Sequence, residues 1–72
     1  MLIICKNSEI KKVMFLNGYN LTTLAKEINI GVSYLSVILN NKKKPSSILA
    51  KKIATTLNVE VEDIFQIEKE EA

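Results

Sequence analysis

The sequence predicts a small all-α domain of five short helices, closed by an antiparallel β-ribbon made from its two ends. Three observations carry this. Gly18, Gly31 and Pro45 are the only glycines and proline, so the strong breaks are few. Apolar residues between breaks recur at helical spacing, most clearly Leu49, Ala50, Ile53, Ala54 and Leu57. The two ends, MLIIC and FQIEK, are apolar and β-prone without that spacing.

Each element follows in order. Ser8 is the expected N-cap of a first helix, Glu9 to Leu16, with Ile10, Val13, Met14 and either Phe15 or Leu16 facing inward. Asn17-Gly18 ends it, Gly18 being free to take the left-handed backbone after a helix. Asn20 caps a second helix, Leu21 to Ile28, with Leu24, Ala25 and Ile28 inward. A third helix covers Ser33 to Leu39, starting at about Val32. Asn40, Asn41, three lysines and Pro45 form a loop. Ser46 caps a fourth helix up to Leu57, and Asn58 takes the position after it. A last short helix, Val61 to Phe65, follows. The ends pair as Leu2 to Cys5 against Phe65 to Glu68, and the ribbon must pack on the helices to persist; frayed ends are the alternative.

Composition bounds the function. Seventy-two residues make one domain, 1–72, and 47% hydrophobic content supports a packed core. No apolar run reaches the roughly 18 residues of a membrane span. MLIIC is too short for a secretory h-region and lacks a basic n-region, so a cytoplasmic protein is expected. Cys5 is the only cysteine and there is no histidine, which excludes an intrachain disulfide and leaves no expected metal site or cofactor. Cys5 reads as a small buried hydrophobe. With no histidine and no paired carboxylates on one helical face, no acid–base set for an enzyme is found. Net charge is +2 but segregated: residues 1–59 carry +7, and residues 60–72 carry −5. All the cations are lysine, as expected where an A·T-rich genome favours Lys, Ile and Asn; that bias does not explain the segregation. A basic body with an acidic end suits a polyanion on one side.

The stretch Ile28 to Asn41 decides the rest. Two helices crossing steeply over a very short turn need a small residue at their closest approach and a left-handed residue four positions later. With Ala25 as the small residue, the turn falls on Asn29, and Leu35 and Ile38, six and nine residues on, face the core. With Gly31 as the turn, Glu27 would sit at the tightest point and Asn40 in the core. The second register fails twice, so the turn is Asn29, and asparagine is the best non-glycine residue for positive φ. Gly31 then becomes the N-cap of the next helix.

GYNLTTLAKEINIGVSYLSVILNNKKKPS, followed by LAKKIATTLNVEVEDIF, resembles the DNA-binding domain of Cro-type and lambda-repressor-like regulators, the xenobiotic-response-element family. The resemblance covers Gly18 to Phe65, with the SYLS, NNKKKPS and NVEVEDIF stretches in family order and spacing. It implies five helices, sequence-specific binding of double-stranded DNA, dimerisation and transcriptional control; some small phage and plasmid members add a terminal ribbon. It carries base contact onto Val32, Ser33, Ser36 and Val37. Helical geometry agrees, since these positions lie opposite Leu35 and Ile38; Val32 in the core is the alternative. No Arg or Gln lies on this face, so the expected readout is of thymine methyls and an A·T-leaning surface, aided by DNA shape. Phosphate contacts are expected from Lys42, Lys43 and Lys44, from Tyr34, Asn40 and Asn41, and from Asn20, Thr22 and Thr23 at the start of the first motif helix. Lys11 and Lys12 are further candidates. Leu21 stands where the family often has Gln, which puts one usual phosphate contact in question.

Tight specific binding by so small a module calls for a homodimer with recognition helices about 34 Å apart. The expected interface is Val59, Val61, Ile64, Phe65 and Ile67, with Phe65 in the core as the alternative. The acidic run Glu68 to Glu71 should lie away from DNA. No ligand-sensing domain fits in this length, so no small-molecule ligand is expected. The expected function is a dimeric repressor reading a two-fold symmetric, A·T-leaning operator through the major groove. Two alternatives are the antitoxin half of a toxin–antitoxin pair and a protein-interaction adaptor that has lost DNA binding.

Overall fold

A computed structural model describes residues 2–68. Helices α1 (Asn7–Leu16), α2 (Leu21–Glu27), α3 (Val32–Leu39) and α4 (Ser47–Thr56) all end in the same left-handed turn. The residue at its centre has φ of 75° at Gly18, 62° at Asn29, 61° at Asn41 and 62° at Asn58. In each turn two N–H groups fold back on the last helical carbonyls, as Asn29 N–H does to Lys26 and Ile30 N–H to Ala25, at 2.8–3.2 Å across the four sites. This paired arrangement satisfies groups that a helix end leaves open. Asparagine serves at three of the four sites.

The starts are set by side chains where the sequence supplies them. Asn20 Oδ1 accepts from Thr23 N–H at 2.8 Å, and Thr23 Oγ1 accepts from Asn20 N–H at 2.8 Å, a reciprocal cap on α2. Ser46 Oγ accepts from Leu49 N–H at the start of α4. Gly31 begins α3 without a side-chain bond. A fifth helix, α5, spans Val61–Ile64, with Glu60 N–H donating to Asp63 Oδ2.

Strands β1 (Leu2–Cys5) and β2 (Phe65–Glu68) pair antiparallel, Ile3 opposite Ile67 and Cys5 opposite Phe65. Directly opposed residues share a face. Cys5 and Phe65 are buried on that face and Ile3 packs partly against the core, so the ribbon is anchored rather than free. The core gathers Ile10 and Met14 of α1, Leu24, Ala25 and Ile28 around α2, Leu35 and Leu39 of α3, and Ala50, Ile53, Ala54 and Leu57 of α4. Ile38 is also fully buried. No described helix is long and apolar enough to cross a membrane.

Several expectations are corrected. Ser8 does not cap α1. Lys6 N–H is already bonded to Ile64 O, and Lys6 O accepts from Ile10 N–H, so the chain passes from β1 straight into a helix that starts at Asn7. Neither Phe15 nor Leu16 turns inward: they are 81% and 71% exposed. The inner line of α1 runs through Ile10 and Met14, and Tyr19, beyond the turn, packs against the core instead. Helix α2 stops at Glu27 and leaves Ile28 as its cap. Helix α5 stops at Ile64, because Phe65 adopts extended backbone and opens β2. Residues 69–72, with Glu70 and Glu71 of the expected acidic tail, lie outside the described residues.

Candidate nucleic-acid interface

Helices α2 and α3 cross over the turn at Asn29. Ala25 is fully buried at the crossing, and Leu35 and Ile38 close the core from α3. With these fixed, at 3.6 residues per turn, the opposite face of α3 carries Val32, Ser33, Ser36, Val37 and Asn40. Val32 is 39% exposed and is not a core residue. Ser33 is exposed, and Ser36 and Val37 are half-buried. The four residues expected to meet bases therefore share one outward face.

Asn40 touches that face. Its Nδ2 donates to Ser36 O at 2.8 Å and lies 3.3 Å from Ser36 Oγ. A serine hydroxyl that accepts one bond is left with its proton to donate. In the major groove that proton suits O4 of thymine or a purine N7.

The expected phosphate ligands fall into two groups. Thr22 of α2 and Lys42, Lys43 and Lys44 of the α3–α4 loop are exposed. Tyr34 is 38% exposed, and the Lys43 ammonium stands over its ring, 5.2 Å from the centroid. Asn20 and Thr23 are exposed but occupied with each other in the cap. Asn41 is engaged elsewhere: its Oδ1 accepts from Cys5 N–H at 2.7 Å, and its Nδ2 donates to Cys5 O at 3.1 Å. The carboxamide pairs with β1 as a neighbouring strand would, and so ties the end of α3 to the ribbon.

Sequence reasoning missed the partner of this tie. Asn7 Nδ2 donates to Leu39 O at 2.8 Å, fastening the last turn of α3 to the start of α1. No local pattern signals such a bond, which spans 32 residues. Beside it, Asn7, Lys11, Met14, Leu21, Ser36, Leu39 and Asn40 line a cleft of about 340 Å³. Leu21 is half-buried and packs against the core, so its place at the start of α2 is filled by an apolar contact. Lys11 is the one cation among the lining residues.

Of the expected interface residues, Ile64 and Phe65 are buried in the chain's own core and offer no surface to a partner. Val59 and Val61 are half-buried, and Ile67 is exposed. Burial pushes the Cys5 thiol up to about 11, in keeping with a small core residue rather than a nucleophile. Among the described residues no group of His, Cys, Asp or Glu is arranged to hold a metal ion.

This geometry coincides with a family. A helix-turn-helix family model matches residues 10–64, well over half of the chain. The chain belongs to the Cro/C1-type helix-turn-helix family. That family is one of DNA-binding transcription regulators rather than enzymes, and its partner is double-stranded DNA. The matched span runs from the first core residue of α1 to the end of α5, so it contains both motif helices and the lysine loop. No match is found among curated proteins.

Proposed function

We propose that this helix-turn-helix protein is a dimeric repressor that reads a two-fold symmetric, A·T-leaning operator through the major groove. Val32, Ser33, Ser36 and Val37 make the base contacts. Thr22 and the lysines of the α3–α4 loop make the phosphate contacts, with Asn20, Thr23, Tyr34 and Asn40 beside them. Asn41 acts by holding the loop. The observation that carries this reading is the outward face of α3: two valines for thymine methyls, a serine with its proton free to donate, and no arginine to demand guanine. Two domains docked on half-sites one helical turn apart supply the interface that one domain lacks. The surface for pairing is the exposed Ile67 with the half-buried Val59 and Val61.

Selection from a pool of random duplexes at two salt concentrations tests this. The expected result is a two-fold symmetric, A·T-leaning site whose affinity falls steeply as salt rises. Retention without enrichment would overturn base readout. No retention at low salt would overturn DNA binding. Replacing Ser33 and Ser36 together by glutamate should abolish operator binding while the far-ultraviolet circular dichroism stays that of the parent.

A further inference from the structure

We propose that Tyr34 is a positioning residue: its ring holds the Lys43 ammonium beside the recognition helix, ready to take a DNA phosphate. The inference rests on the DNA-binding reading and gives one lysine of the loop a defined place in it.

The loop after α3 offers Lys42, Lys43 and Lys44 in a row, and composition does not distinguish them. The structure does. Lys43 Nζ lies 5.2 Å from the centroid of the Tyr34 ring, within the range at which a cation is attracted to an aromatic face. Tyr34 belongs to α3 itself, so the lysine is fastened to the helix that enters the groove. At roughly 100° per residue, Tyr34 falls beyond Val37 on the flank away from Ser36. The opposite flank is the one that meets Lys11 and Leu21 across the cleft. A helix lying in a groove has a phosphate backbone on each side. Lys11 and α2 therefore face one backbone, and the Tyr34–Lys43 pair faces the other.

Both partners keep an open side. Tyr34 is 38% exposed and Lys43 is exposed. The ring face can occupy at most one of the three N–H donors, so at least two are left for a phosphate. A freely rotating lysine loses rotamer freedom when it docks, whereas one already held over a ring loses less. Tyr34 thus raises affinity through Lys43, without itself reading a base.

The test needs two measurements. In the free protein, the side-chain methylene protons of Lys43 should be shifted upfield by the ring, relative to those of Lys42 and Lys44. Tyr34→Leu should abolish that shift and Tyr34→Phe should keep it. Binding of one A·T-rich duplex at low salt is then compared for the parent, Tyr34→Leu, Tyr34→Phe, Lys43→Gln and the Tyr34→Leu/Lys43→Gln double variant. Tyr34→Leu should weaken binding about two- to five-fold. Tyr34→Phe should bind as the parent does. Lys43→Gln should reduce the salt slope by about one, and adding Tyr34→Leu to it should change nothing further. Additive effects in the double variant, an unshifted Lys43, or a Tyr34→Phe variant as weak as Tyr34→Leu would each overturn the proposal while leaving DNA binding intact. A parent that binds no duplex would overturn the DNA-binding reading and this role together.

Discussion

Replacing Asn41 by alanine removes two things at once, and the structure allows them to be separated. The first is backbone tolerance: Asn41 has φ of 61°, a conformation that costs an alanine about 1–2 kcal/mol. The second is the bridge to Cys5, two part-buried hydrogen bonds of 2.7 and 3.1 Å to the N–H and C=O of β1. Each is worth about 1 kcal/mol net, less where water replaces it and more where a buried group is left unpaired. Asn41→Ala should therefore destabilise by about 2–4 kcal/mol. Asn29 provides the control. It has nearly the same backbone, φ of 62°, and makes no side-chain hydrogen bond among the described residues. Asn29→Ala should cost only the first part, about 1–2 kcal/mol. The difference between the two variants is the bridge, roughly 1–2 kcal/mol, or about 4–16 °C in Tm for a domain of this size. Urea and thermal unfolding followed by circular dichroism, at one fixed chain concentration, would measure it. A third variant, Asn41→Gly, accepts the left-handed backbone and should still lose the bridge. Equal costs for Asn41→Ala and Asn29→Ala, or a neutral Asn41→Gly, would refute the claim that this amide holds the ribbon to the end of α3.

Other outcomes follow from packing, capping and titration. Leu35→Ala, at a fully buried contact of α3, should cost about 2–5 kcal/mol in urea unfolding. Asn20→Ala removes the cap on α2 and should cost about 1 kcal/mol by the same assay. Phe15→Lys, at an 81% exposed position, should change stability by less than about 0.5 kcal/mol despite the apolar residue removed. Cys5 supplies a pH dependence: its thiol ionises near 9.0 when unfolded and about 11 when folded. Its contribution is fully present below pH 9 and is lost as pH rises from about 9 to 11, because the unfolded chain sheds the proton first. Cys5→Ala should flatten that part of the urea midpoint against pH.

The helices were legible because their signals are local. Left-handed breaks at Gly18, Asn29 and Asn58, caps at Asn20 and Ser46, and the spacing of Ala25, Asn29, Leu35 and Ile38 each act within a few residues. The ribbon register, Leu2 to Cys5 against Phe65 to Glu68, was also legible, since both ends are apolar segments with no other partner. What escaped depends on distant parts of the chain. Ser8 looked like a cap only while the bond from Lys6 to Ile64 was unknown. Phe15 and Leu16 looked like core because an apolar residue at helical spacing carries no mark of where the core ends. Ile64 and Phe65 looked like an interface for the same reason in reverse. The engagement of Asn41 with Cys5, across 36 residues, had no signal at all.

The asparagines explain why the proposed reading face is so plain. The chain has seven, and each has a structural task. Asn29, Asn41 and Asn58 take the left-handed turns that glycine often fills. Asn20 caps α2, while Asn7, Asn17 and Asn41 reach across the fold to the backbone of Leu39, Leu57 and Cys5. Only Asn40 lies on the outward face of α3, and its amide is turned onto Ser36. The amide that best recognises adenine is thus absent from the positions proposed to face bases, and so is arginine. What the proposed face offers is methyl groups from Val32 and Val37 and hydroxyls from Ser33 and Ser36, each discriminating weakly. On the proposed reading, selectivity must then come from repeating these weak contacts on two half-sites and from how readily an A·T-rich duplex deforms, while the lysines set affinity. A regulator built this way should depend on dimerisation and on salt more than one whose recognition helix carries glutamine and arginine.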